Sequence, residues 1–76
     1  MDFDSRIVEK LTQNGVNGKV ITLIIPACRQ AVIACANGAP SVTIHVPTTK
    51  CGILRLPARE WLAKVGLEAL AEEMAA

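Results

Sequence analysis

The stretch SVTIHVPTTKCGILRLP, residues 41–57, decides the fold that the sequence predicts. Its residues Val42, Ile44 and Val46 alternate with polar residues, which is the period-two pattern of a strand with one buried face. The run ILRLP follows after a short segment that contains a glycine, and glycine readily adopts the positive φ that a tight loop needs. The stretch therefore predicts an antiparallel β-hairpin.

The two alternating patterns also predict the register of this hairpin. If Val46 lies opposite Leu54, then Ile44 lies opposite Leu56, because the two strands run in opposite directions. Residues that lie opposite each other share a face of the sheet. The face that we expect to pack against helices then contains Val42, Ile44, Val46, Leu54 and Leu56.

The opposite face of the hairpin is the predicted interface. It presents Thr43, His45, Ile53 and Arg55, which are small, apolar or basic, and it contains no carboxylate. A solvated face normally mixes charges of both signs, whereas an apolar strip on a sheet favours association. We therefore expect this face to bind protein, either a second copy of the chain or a different partner.

The segment before the hairpin predicts one helix and further strands. Residues 2–14 predict an amphipathic helix that ends at Gly15, with Val16 folding back on Leu11. Residues 19–25 are rich in β-branched side chains and apolar on both faces, which is typical of a central strand that ends at Pro26.

Residues 27–36 allow two interpretations. As a helix, the segment would line one face with Cys28, Ala31, Val32 and Cys35, and it would stop at the Asn-Gly pair at 37–38. As a strand, it would use the same pair to reverse into the hairpin, and we prefer this interpretation.

Residues 57–76 predict a helix with an apolar face that includes Trp61, Leu62 and Val65. Gly66 either weakens one long helix or ends one helix before another begins, with Leu67 packing back. The expected fold is a single α+β domain, residues 1–76: an N-terminal helix, an antiparallel sheet of three or four strands, and a C-terminal helix.

Charge is segregated along the chain, although the net charge is only +1. No acidic residue occurs between Lys10 and Arg59, so the middle of the chain is basic and the ends are acidic. The basic residues of this middle segment include Lys19, Arg29, Lys50 and Arg55. We count Arg29 and Lys50 among the candidate interaction residues, and the segment supports an alternative prediction, a nucleic-acid-binding regulator.

The residues that carry chemistry do not form a recognisable catalytic or metal-binding motif. Cys28, Cys35, His45 and Cys51 lack the closely spaced cysteine pair that holds zinc, and no carboxylate in the middle of the chain would orient His45. No phosphate-binding glycine loop is present. We therefore expect no enzyme, no metal and no cofactor.

Composition and cysteine usage complete the functional prediction. Hydrophobic residues make up 51% of this short chain, more than a small domain usually hides, which favours a homodimer or another protein partner. Three cysteines cannot all pair within one chain, so we expect free thiols in the cytoplasm. The apolar run at 20–28 is shorter than a bilayer requires, so we expect no membrane partner. The sequence predicts a small protein-binding regulator or inhibitor.

Overall fold

The computed structural model of the protein describes residues 3–48 and 52–75. The described residues form four helices and two strands: α1 (Phe3–Gln13), α2 (Gly18–Ala36), β1 (Thr43–Pro47), β2 (Ile53–Pro57), α3 (Ala58–Val65) and α4 (Glu68–Ala75). The fold is α+β, as predicted, and it begins and ends with helices. The sheet of the described residues has two strands, so the expectation of three or four strands was wrong.

Strands β1 and β2 form the predicted hairpin in the predicted register. Val46 pairs with Leu54, Ile44 pairs with Leu56, and the two strands are antiparallel. The register follows from the alternation of apolar residues, because a slip by one residue would turn every buried side chain to the solvent.

Two backbone hydrogen bonds show which residues join the strands. The Thr48 N–H donates to the Gly52 carbonyl at 2.9 Å, and the Ala58 N–H donates to the Val42 carbonyl at 2.8 Å. Both bonds join even-numbered partners. Because bonded and non-bonded pairs alternate in an antiparallel ladder, the odd-numbered residues direct their backbone groups away from the partner strand.

This alternation explains how the short strands accommodate two prolines. Pro47 and Pro57 both occupy odd-numbered positions, one at the end of each strand. Proline lacks an N–H group, and at these positions that group would not have bonded to the partner strand.

Helix α2 replaces the strands expected over residues 19–25 and 27–36. The 19-residue helix begins after Asn17, whose Oδ1 accepts a hydrogen bond of 2.8 Å from the Lys19 N–H. Its buried residues recur at helical spacing: Ile21, Ile24, Ala27, Cys28, Ala31 and Val32. This face packs against α1, α3, α4 and β1, which makes α2 the central element of the fold.

Pro26 lies inside α2 and not at the end of a strand. Its ring removes the N–H that would bond to the Thr22 carbonyl, which ordinarily disfavours a helix interior. Both Thr22 and Pro26 are exposed, so this defect lies on the solvent-facing side of α2. The packing of the opposite face stabilises the helix in spite of this defect.

Three glycines, Gly15, Gly38 and Gly66, follow the ends of helices in the left-handed conformation. Gly66 has a φ of 74°, and the Leu67 N–H donates back to the Leu62 carbonyl at 3.0 Å. The second of the two alternatives for residues 57–76 is therefore confirmed: α3 ends at Gly66 and α4 follows. Gly15 ends α1 in the same way, and the predicted return of Val16 to Leu11 is confirmed by a backbone bond of 3.0 Å.

The core lies where α2 meets the other elements. Its largest buried side chains come from every helix and from β1, among them Ile7, Leu11, Ile44, Leu62 and Leu70. Polar contacts join the surrounding helices at the surface: the Asn14 side chain bonds to the carbonyl of Val65, and Arg6 pairs with Glu73.

Candidate protein-binding surface

The outer face of the hairpin is defined here as Thr43, His45, Ile53 and Arg55, and all four residues are exposed. The side chain pattern places them together, because odd-numbered residues of both strands share the face away from the helices. Ile53 is 65% exposed, which is the largest value among the large hydrophobic residues of the described chain. The outer face therefore presents apolar surface next to basic side chains, with no acidic residue.

His45 and Arg55 lie directly opposite each other at the centre of the outer face. They form a non-hydrogen-bonded pair, in which the Cα atoms approach to about 4.5 Å and the side chains are closest. The imidazole and the guanidinium are therefore neighbours on the outer face, and both groups carry hydrogen-bond donors.

The inner face of the hairpin is only partly covered by the helices. Ile44 and Val46 are each 2% exposed and Leu56 is 7% exposed, as predicted. Val42 and Leu54 are 47% and 41% exposed, so the expectation that they would be buried against the helices was wrong.

The uncovered position of Leu54 follows from the way the helices are arranged. Strand β1 packs against both α2 and α3, whereas β2 packs mainly against α3. At the loop end of the hairpin, Val46 on β1 is therefore covered, and its partner Leu54 on β2 is not. Either Val20 and Ile24 or Val32 and Ala34 were expected beside the outer face, but all four residues lie on α2.

The remaining candidate interaction residues lie elsewhere. Arg29 is on α2, and its Nε and Nη2 donate to the two carboxylate oxygens of Asp4 at 2.8 and 2.7 Å. This bidentate contact lowers the pKa of Asp4. Lys50 lies outside the described residues. Lys19 also lies on α2, so the basic residues Lys19 and Arg29 do not share a sheet with Arg55.

Burial controls the chemistry of the described cysteines. Cys28 is fully buried, and burial raises the pKa of its thiol to about 11. The buried indole N–H of Trp61 makes no hydrogen bond, and its position beside the Cys28 thiol opposes the rise in pKa. Burial also raises the pKa of the half-buried Cys35. Cys51 lies outside the described residues.

A groove that the sequence did not reveal lies between the end of α2 and helices α3 and α4. It has a volume of about 180 Å³ and is lined by Cys35, Arg59, Leu62, Glu68, Ala71, Glu72 and Ala75. The sequence did not predict this groove because residues 27–36 were assigned to a strand.

No group of three or more histidine, cysteine or acidic side chains able to hold a metal ion occurs in the described part of the chain.

Helix α2 is long and apolar enough, by length and composition, to cross a membrane. At 1.5 Å per residue it is about 28 Å long, close to the thickness of a bilayer core of about 30 Å. Central helices of folded domains also reach this length and apolar composition. Helix α2 is such a central helix in this fold, because it packs against three helices and a strand.

No family model, curated protein or solved structure matches the chain. The functional proposal is therefore based on the exposed surfaces of the fold.

Proposed function

We propose that this protein is a small non-enzymatic binding protein that uses the outer face of the hairpin to contact another protein chain. In this role it acts as a regulator or inhibitor, since occupation of a partner's surface needs no chemistry of its own. The free thiols of Cys28 and Cys35 suit a reducing compartment such as the cytoplasm.

The observation that carries this proposal is the composition of the outer face together with its exposure. Ile53 is 65% exposed on a two-stranded sheet, and Leu54 and Val42 expose further apolar surface at the same hairpin. Grouped apolar residues on a small domain favour association, because contact removes them from water. The neighbouring His45 and Arg55 add polar specificity at the centre of the face.

The geometry gives less support to nucleic-acid binding. The basic residues Lys19 and Arg29 lie on α2, and the charge of Arg29 is balanced by Asp4. The two described strands also contain no aromatic side chain on which bases would stack.

A double substitution on the outer face tests the proposal. Thr43→Lys combined with Arg55→Glu places a long charged side chain at one end of the face and reverses the charge at its centre. Both residues point away from the core, so the circular dichroism spectrum and the melting temperature should stay close to those of the wild type. Retention of a discrete protein on the immobilised wild-type chain, or its self-association in sedimentation equilibrium, should be lost in the variant.

A matched control uses Lys19→Glu combined with Gln30→Lys, which makes the same change of charge at exposed positions of α2. This control should bind as the wild type does. Binding should also survive nuclease treatment and 0.5 M salt, since contacts with phosphate weaken steeply with salt and apolar contacts do not. The proposal fails if the double variant binds as well as the control, or if the wild type binds neither protein nor itself.

A further inference from the structure

We infer that the open edge of β2 pairs with the same edge of a second copy of this chain, which joins two hairpins into one four-stranded sheet. This inference rests on the proposed function, because it names the partner chain and adds the backbone edge of β2 to the surface through which the hairpin associates. Three features of the hairpin carry it: the direction of the backbone groups, the burial of the two strands and the symmetry of the edge.

Each strand of the hairpin has an open edge with a short row of backbone groups. The odd-numbered residues direct their N–H and carbonyl groups outward, which gives Thr43 and His45 on β1 and Ile53 and Arg55 on β2. None of the backbone hydrogen bonds that connect the described elements uses these N–H groups. An unpaired edge of this kind is a template for another strand.

Burial distinguishes the two edges. On β1, the residue between the outward positions is Ile44, which the helices already cover to 2% exposure. On β2, the equivalent residue is Leu54, which is 41% exposed. A strand that docks on β1 therefore removes little further apolar surface from water, whereas a strand that docks on β2 covers Leu54. The β2 edge is the one that gains from a partner.

The β2 edge is complementary to itself about a two-fold axis at Leu54. With two antiparallel copies of β2 side by side, Ile53 of one copy pairs with Arg55 of the other, and the reverse pair forms across the axis. Each pair exchanges two N–H···O bonds, so the two pairs make four. The two Leu54 side chains then meet as a non-hydrogen-bonded pair on the inner face, where side chains approach most closely.

The outer face of such a dimer also has favourable packing. The exposed Ile53 of each copy lies beside the aliphatic stem of Arg55 from the other copy. The two guanidinium groups are diagonal neighbours, with their Cα atoms about 7–8 Å apart. Because like charges repel and salt screens them, added salt should tighten this dimer. An acidic partner strand on the same edge would show the opposite salt dependence.

Pro57 limits the length of the pairing. It ends the edge on each copy because it has no N–H to offer. The shared edge is short, so the dimer should be weak and should form reversibly with increasing protein concentration.

Sedimentation velocity over a range of protein concentrations tests this inference with a matched pair of proline variants. Arg55→Pro removes an outward N–H on β2, and by symmetry two of the four intermolecular bonds. His45→Pro makes the same change at the directly opposite position on β1. Neither change removes a bond between β1 and β2, so both variants should keep the circular dichroism spectrum of the wild type.

The wild type should show a monomer–dimer equilibrium, and His45→Pro should weaken it far less than Arg55→Pro does, because β1 lies one strand away from the shared edge. Arg55→Pro should raise the dimer dissociation constant by about tenfold or more, since two hydrogen bonds are lost. Arg55→Met keeps the N–H and an aliphatic side chain of similar length and removes the charge, so it should dimerise at least as well as the wild type. Leu54→Glu places two like charges on the axis and should abolish the dimer.

Equal weakening by both proline variants, or none by Arg55→Pro, would overturn the inference. If Arg55→Pro dimerises normally while the outer-face double variant does not, the edge is excluded and the binding face of the proposed function stands. A wild type that remains monomeric at every concentration also overturns the edge dimer. The proposed function is then tested separately, by whether the immobilised wild-type chain retains a different protein.

Discussion

Replacement of Gly66 by alanine should destabilise the protein more than the same change at another helix end. Gly66 has a φ of 74°, a conformation in which a side chain is strained whatever the space around it. A Cβ at this position would also collide with Nδ2 of Asn14. That amide donates to the Val65 carbonyl at 2.9 Å and thereby ties the end of α1 to the end of α3.

The expected cost has two parts. The left-handed conformation costs about 1–2 kcal/mol for a residue with a Cβ. Asn14 has a flexible side chain, so it swings away from the new methyl group and loses its hydrogen bond, which costs about 1 kcal/mol more. Gly66→Ala should therefore lower the free energy of unfolding by about 2–3 kcal/mol, a large share of the stability of a small domain.

Urea unfolding, followed by circular dichroism, separates the two parts. Gly38 has a φ of 81° and no atom within 4 Å of an added Cβ, so Gly38→Ala should show the conformational cost alone. In an Asn14→Ala background, Gly66→Ala should cost about 1 kcal/mol less than in the wild type, because the hydrogen bond is already absent. The explanation is refuted if Gly66→Ala costs the same in both backgrounds or no more than Gly38→Ala.

Two further predictions concern the core. Trp61 is 7% exposed, so Trp61→Ala should lower the free energy of unfolding by about 3–5 kcal/mol in a urea titration; a near-unchanged midpoint would show that the indole contributes little to the core. The pKa of Cys28 is raised from 9.0 to about 11, so the thiol ionises in the unfolded chain first and stability should fall as the pH rises from 9 towards 11. In Cys28→Ala the free energy of unfolding should fall less between pH 9 and pH 11 than in the wild type. An equal fall in the variant would show that the Cys28 thiol does not cause it.

The sequence alone determined the hairpin and the glycine that ends α1. These are local features: the alternation of Ile44 and Val46 with polar residues specifies which face is buried, and the pairing of His45 with Arg55 follows from it. Glycine ends a helix through the conformation of a single residue, so the end of α1 at Gly15 could be predicted without knowledge of the tertiary structure. The composition of the outer face was predictable for the same reason.

The tertiary structure decided the segment between α1 and the hairpin. The β-branched residues of 19–25 favour a strand, and Pro26 disfavours the interior of a helix. These preferences were overridden because one continuous helix presents Ile24, Cys28 and Ala31 together to the surrounding elements, which separate strands would not do. Propensity is worth tenths of a kcal/mol for an ordinary residue and about 3 kcal/mol for a proline inside a helix, and burial of a central helix outweighs both.

Exposure of the inner face was also a tertiary property. Alternation specifies that Val46 and Leu54 share a face, and the hairpin confirms it. Whether that face is covered depends on where α2 and α3 lie, and the helices cover Val46 and leave Leu54 41% exposed. The pattern of a strand specifies the direction of each side chain, but only the packing of distant elements specifies what lies against it, because burial depends on contacts between residues far apart in the chain.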